Sequence, residues 1–205
     1  MEFELPIFEL PLALLPGESV PLHIFEDRYK RMIGRCLERG EPLGVLLSDP
    51  EGARPVGCTA YVTDVLERFE DGRMNVVVTG DAPFRVLERF GGVEEPGAEV
   101  EMLEQVAGES DEDAAARVRE AFGDLAERAS GERPATEDLA AAGAYGIAAR
   151  IELPSETKQE LLELRDEGER MRLLARALVT LQEALDRAEE VAERASSNGR
   201  MTIGR

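Results

Sequence analysis

LPIFELPLALLPGESVPLHIFEDRYKRM, residues 5–32, decides how the rest of this chain is read. Two apolar runs flank Pro16-Gly17, a turn signal. The second run, Val20-Pro21-Leu22-His23-Ile24-Phe25, switches abruptly to charge at Glu26-Asp27. From there the spacing turns helical, with Tyr29, Met32, Ile33, Cys36 and Leu37 at i, i+3, i+4, i+7 and i+8. Each proline removes a ladder donor, so the extended runs cannot be central strands throughout. The stretch reads as strand, loop, short strand, then a helix packed on the downstream chain.

Beyond it, Pro42–Ser48 reads as a buried strand ended by Asp49-Pro50-Glu51-Gly52, and Gly57–Phe69 as a longer strand. Asp71-Gly72 between two apolar-alternating runs predicts a two-residue type I′ hairpin. That turn would set Phe69 opposite Met74, Glu67 opposite Val76 and Val65 opposite Val78. Apolar residues on both faces predict a strand covered in part on both sides, as in a small barrel or a sheet with a helix lid. Gly80-Asp81-Ala82-Pro83 reads as a break, Phe84–Phe90 as a renewed strand, and Ala98–Val106 as the last strand after Gly91-Gly92.

The character changes at Gly108. Ser110-Asp111-Glu112-Asp113 starts a helix with acids at its positive end, carrying Val118, Phe122 and Leu125 and stopping near Ser130-Gly131. A second helix begins after Pro134, with Leu139, Ala142, Tyr145 and Ile147; Gly143 and Gly146 weaken it, so it should be held by its neighbours. Ser155 is expected to cap a third, with Leu161, Leu162 and Leu164. In the last helix Met171, Leu174, Leu178, Leu181, Leu185, Ala188, Ala192 and Ala195 step alternately by three and four, a heptad seam. Its alanine half reads either as the end of a bundle helix or as a surface for weak self-association. Ser196-Ser197-Asn198-Gly199 should end it.

The formal charge is −19, from 43 acidic and 24 basic residues, and only Lys30 and Lys158 are lysines. Residues 1–108 carry −11 and residues 109–205 carry −8. Both halves repel phosphate backbones and anionic lipid, which argues against nucleic-acid and membrane partners. Cys36 and Cys58 read as reduced core thiols. The start has acids at Glu2, Glu4 and Glu9 and no basic segment, unlike a signal peptide, and no apolar run approaches the ~20 residues of a membrane span. A soluble, cytoplasmic, acidic protein is expected.

These blocks resemble, in order, the N-terminal substrate-recognition domain of Lon proteases, a family that also includes stand-alone bacterial proteins. The matching residues are Leu5-Pro6-Ile7-Phe8, Leu10-Pro11-Leu12, Pro16-Gly17, Leu22-His23-Ile24-Phe25-Glu26 and Arg28-Tyr29. They continue through Gly57, Asp71-Gly72-Arg73, Gly80, Phe84-Arg85-Val86, Leu153-Pro154 and Lys158–Glu163. The resemblance covers about residues 4–185. It implies an α+β protein with a β-rich, PUA-like pseudo-barrel over 1–108; the residues themselves read as a four-helix bundle over 109–196 with a long last helix, and as a mobile tail over 197–205. It implies polypeptide recognition without catalysis.

The chemistry of the rest of that protease is missing from these residues. There is no G-x-x-x-x-G-K-[ST] phosphate loop, and neither lysine sits in a glycine-rich segment or a motif that would activate a serine. His23 is the only histidine, read as a half-buried strand residue rather than a partner of Glu26. No cofactor and no metal are implied.

Two functions remain. One is a module capturing exposed hydrophobic segments of client polypeptides, through an apolar groove or a sheet edge. Its candidate lining is Phe8, Leu12, Leu14, Leu15, Phe69 and Met74. The other is an adaptor or scaffold docking on a folded partner, such as a protease, as the related fold does in cereblon-type receptors.

Overall fold

The computed structural model describes residues 2–106 and 111–198. The junction expected at Gly108, Ser110, and the tail residues 199–205 lie outside them, as does the side chain of Ala195. Among the described residues the fold is α+β, with seven strands in the first half and four of the five helices in the second.

The opening stretch forms β1 (Glu2–Leu10), a loop, β2 (Ser19–Ile24) and α1 (Asp27–Arg39). α1 buries Tyr29, Met32, Ile33 and Cys36, the stripe expected from the spacing. It stops at Gly40, whose φ of 64° is left-handed and whose N–H bonds the Cys36 carbonyl. The chain then enters β3 (Leu43–Asp49), parallel to β1, and continues through β4 (Gly52–Ala53), β5 (Val56–Arg68), β6 (Met74–Phe90) and β7 (Gly97–Met102).

β7 pairs with β1, β6 with β7, β5 with β6, β3 with β5, and β1 with β3, so the ladder closes on itself as a barrel. The interior is filled by Leu5, Ile7, Leu46, Phe84, Ala98 and Val100. Phe84 fits because Gly44 faces it: a Cβ there would lie 2.8 Å from both the Phe84 ring and Ile7 Cδ1. β2 adds to the outer edge of β6, from Ser19 opposite Thr79 to Ile24 opposite Met74.

The β5–β6 hairpin departs from the expected turn. Phe69 N–H bonds the Arg73 carbonyl and Gly72 N–H bonds the Phe69 carbonyl. Among the described residues none other than glycine has positive φ, so Asp71 cannot sit in a type I′ turn; Gly72 alone, at φ 83°, supplies the left-handed residue. This is a three-residue Glu70-Asp71-Gly72 loop. The longer loop and bulges along β5 shift the register, so Met74 faces Arg68, Asn75 faces Glu67 and Val76 faces Val65.

Gly80–Pro83 does not end a strand either. β6 runs through it, because a bulge opposite Thr59 absorbs the irregularity: Thr59 Oγ1 donates to the Ala82 carbonyl and accepts from Ala82 N–H, both at 3.1 Å. The last strand is shorter than expected, ending at Met102; Val106 instead bridges to Asp166.

In the second half, Asp111 caps α2 (Glu112–Ser130) by accepting from Ala114 N–H at 2.9 Å. α3 (Thr136–Ala148) is broken at Gly143, which takes φ 63° and ψ −174°. Its weak propensity was legible, but the outcome is a break rather than a continuous buried helix. The freed Ala144 N–H donates to Glu167 Oε1 at 2.7 Å. Ser155 is the first helical residue of α4 (Ser155–Glu163) and makes no cap; Pro154 precedes it. α5 (Glu167–Asn198) buries Met171, Leu174 and Leu178, while Leu185 and Val191 are exposed.

One buried cluster spans both halves, joining Cys58, Ala60 and Val78 of the sheet with Leu161, Leu162 and Leu174 of the helices. Both cysteines are buried and free, and burial pushes the Cys58 thiol up to about 12. An unfolded thiol ionises near pH ~8.5, so this burial disfavours the folded state progressively above that pH. At neutral pH, native protein should react with a colourless disulfide reagent only on adding denaturant. Fast reaction of either thiol without denaturant would contradict this packing.

Candidate polypeptide-binding surface

The six residues expected to line a groove separate in the structure. Phe8, Leu14, Leu15 and Met74 are buried in the core, and Leu12 and Phe69 are half-buried. Phe8 packs on Tyr29 with ring centroids 4.2 Å apart, bracing α1, and its edge also lines a concavity beside Phe25. Leu14 and Leu15 are covered because Pro16 bridges to Gly80 and folds the loop down on the sheet.

Other large apolar groups take the surface. Phe25 is 61% exposed, Phe90 44% and Val93 73%. Phe25 comes directly after the last residue of β2, and Val20, Leu22 and Ile24 point inward, so period-two alternation turns Phe25 outward. That parity was readable from the sequence. Phe90 was not, because a bulge near Val86 changes the phase of β6.

Two adjoining concavities run between these residues. One, of about 400 Å³, includes Leu10, Pro11, His23 and Phe25 in its wall. The next, of about 360 Å³, includes Ile7, Phe90, Val93 and Pro96. Glu9, Arg28 and Tyr29 belong to both and form the ridge between them. The Arg28 guanidinium lies 4.5 Å over the Tyr29 ring and pairs with Glu26 at 2.7 Å. Glu9 pairs with Arg89 across the second concavity. Burial raises the Tyr29 phenol, which stays neutral through the physiological range.

His23 is exposed rather than half-buried. Its Nδ1 shares a 2.7 Å hydrogen bond with Asn75 Oδ1, and its ring lies 6.0 Å from those of Phe25 and Phe69. It therefore extends the apolar rim and does not pair with Glu26. Among the described residues no group of three or more His, Cys, Asp or Glu side chains could hold a metal ion. Among them, too, no helix is long and apolar enough to cross a membrane.

The ATP-dependent protease La (Lon) substrate-binding domain model matches residues 4–180. This chain belongs to that family. A Lon protease of Paraburkholderia phytofirmans is 30% identical over 207 residues, covering 92% of this chain and 26% of the relative. The chain thus spans about a quarter of that protease's length. The crystal structure of a Lon N-terminal domain protein from Xanthomonas campestris superposes with a TM-score of 0.66 at 23% identity, covering 84% of this chain and 96% of that one. The N-terminal domain of a Mycobacterium avium complex Lon protease also gives 0.66, at 20% identity and with 86% and 98% covered. Membership supports a substrate-recognition role, and the barrel with its helical companion is the fold of the Lon N-terminal domain.

Proposed function

We propose that this protein is a non-catalytic polypeptide-binding module that captures exposed hydrophobic segments of client proteins on the Phe25–Tyr29–Phe90 surface. The observation that carries this reading is the line of exposed apolar groups, Phe25, Phe90 and Val93, along two adjoining concavities in a family named for substrate binding. Aromatic anchors supply most of the energy in such contacts. Arg28, Arg89, Glu9 and Glu26 ring the apolar floor and are already paired, so a client need not strip isolated charges of water. The proposal contains no step of bond cleavage, because these residues hold no nucleotide loop and no activated nucleophile.

Fluorescence anisotropy with a labelled, permanently unfolded client tests it. Phe25→Ser combined with Phe90→Ser should weaken binding by about tenfold or more, since two aromatic anchors are lost. Both side chains are exposed, so the variant should keep the wild-type unfolding midpoint. Absence of binding by the wild-type protein at high micromolar concentration would remove the proposal.

A further inference from the structure

α1 carries Arg28, Lys30, Arg31, Arg35 and Arg39 against only Asp27 and Glu38, a local positive excess in a chain of formal charge −19. Half of the ten basic residues in 1–108 lie on this one helix. Arg28, Arg31, Arg35 and Arg39 step by three, four and four, which puts them on one stripe.

The middle of that stripe is paired from within the chain, while Arg39 at its end pairs with Glu41. The turn between β6 and β7, residues 91–96, lies across it. Arg31 pairs with Glu94 at 3.0 Å and Arg35 with Glu95 at 3.6 Å. Arg28 and Arg31 also donate to the Val93 and Glu94 carbonyls, at 3.4 and 3.3 Å. A concavity lies on each side of the turn. The first is the one holding Tyr29 and Val93; the second, of about 280 Å³, holds Met32, Cys36 and Arg35. Phe90, Pro96 and Gly97 wall both, so the turn is the partition between them.

The backbone of the turn is anchored where Ile7 N–H bonds the Pro96 carbonyl at 2.9 Å, but its ion pairs are weak. Glu94 is 85% exposed, and ion pairs so open to solvent contribute little. Consecutive glycines at φ 76° and 61°, Gly91 and Gly92, give the turn a backbone that other residues rarely adopt.

We infer that Glu94 and Glu95 are built-in stand-ins for the carboxylates of the ligand on Arg31 and Arg35. The preferred occupant of the concavities flanking α1 is an extended client segment in which a bulky apolar residue is followed by carboxylates, and these take Arg31 and Arg35 from Glu94 and Glu95 on binding. This rests on the polypeptide-binding reading and names the class of client. The charge argument is direct. A chain at −19 repels acidic segments over most of its surface, and α1 is where arginines can accept them. An apolar floor alone would not distinguish an acidic segment from a basic one; the arginine stripe does.

Anisotropy with three labelled peptides tests this. They share one set of apolar residues and carry glutamate, glutamine or lysine at the remaining positions. The glutamate peptide should bind about tenfold more tightly than the lysine peptide at low salt, and the gap should shrink as salt screens it. Glu94→Gln with Glu95→Gln should tighten the glutamate peptide about fivefold, because the internal competitor is weakened. Arg31→Glu with Arg35→Glu should reverse the order of the peptides. Equal binding of all three peptides, or no gain from the Glu94/Glu95 variant, would overturn the inference while leaving the polypeptide reading standing. Displacement of the glutamate peptide by a uridine oligonucleotide would overturn it in favour of a nucleic-acid site. Failure of every peptide to bind would take the polypeptide reading down with it.

Discussion

Lys158→Met will lower the unfolding free energy by about 3–5 kcal/mol, the cost of leaving one charge of a buried pair without its partner. Lys158 on α4 pairs with Glu18 in the loop before β2, and the two side chains are only 12% and 10% exposed. Glu18 is also tied by its other oxygen, which accepts from Leu15 N–H at 3.0 Å. The loop itself is pressed against Gly80, where Gly17 N–H and the Glu18 carbonyl bond the backbone at 2.9 Å. The ion pair therefore pins the helical half to the strap that covers the sheet. Urea titration checks the magnitude. The double variant Glu18→Gln, Lys158→Met should recover most of the loss: glutamine keeps an acceptor for Leu15 N–H, and no unpaired charge remains. A single variant within about 0.5 kcal/mol of wild type would show that the pair is solvated and this account wrong.

Arg170→Ala should cost a similar ~3–5 kcal/mol, because several groups lose a shared partner at once. Arg170 is 3% exposed. Its guanidinium donates to Glu167 Oε2 at 2.8 and 2.9 Å, to the Leu164 carbonyl at 2.8 Å and to Gln105 Oε1. It also lies 4.5 Å over the ring of Tyr145, whose hydroxyl donates to the Leu161 carbonyl. Burial pushes the Tyr145 phenol up to about 12, with Arg170 opposing that rise. Four elements thus meet on one side chain: the segment after β7, the second part of α3, the end of α4 and the start of α5. Arg170→Lys should rescue little, since an ammonium cannot present a planar fork to these acceptors and the ring together. Hydrogen exchange supplies the local readout. The Ala144 amide, held by Glu167 Oε1, should lose protection in Arg170→Ala beyond what the fall in global stability explains. Unchanged relative protection would mean that Glu167 is positioned without Arg170.

Local pattern made several features readable. The stripe of Tyr29, Met32, Ile33 and Cys36 announced α1 and its buried face. Ser110-Asp111-Glu112-Asp113 announced a helix start, and the family's blocks, from Leu5-Pro6-Ile7-Phe8 through Lys158–Glu163, pointed to the fold. The candidate surface was less readable. Apolar identity marks Phe8, Leu14 and Leu15 as belonging to some interface, but whether a loop, a helix or a client covers them depends on chain distant in sequence. Phe25 betrays its exposure by strand parity; Phe90 does not, because a bulge resets the alternation of β6.

What the sequence determined alone is therefore local: which segments favour strand or helix, which face of α1 is apolar, where α2 stops, and which catalytic motifs are missing from these 205 residues. Tertiary structure decided the rest. It closed the ladder through β1 and β3, lengthened the Asp71-Gly72 turn, broke α3 at Gly143 and brought Glu18 to Lys158 across 140 positions. The physical reason is that periodicity and turn chemistry act over a few residues. Register, burial and charge pairing are settled by whichever distant groups can fill a space or satisfy a buried polar atom, and that choice exists only once the chain has folded.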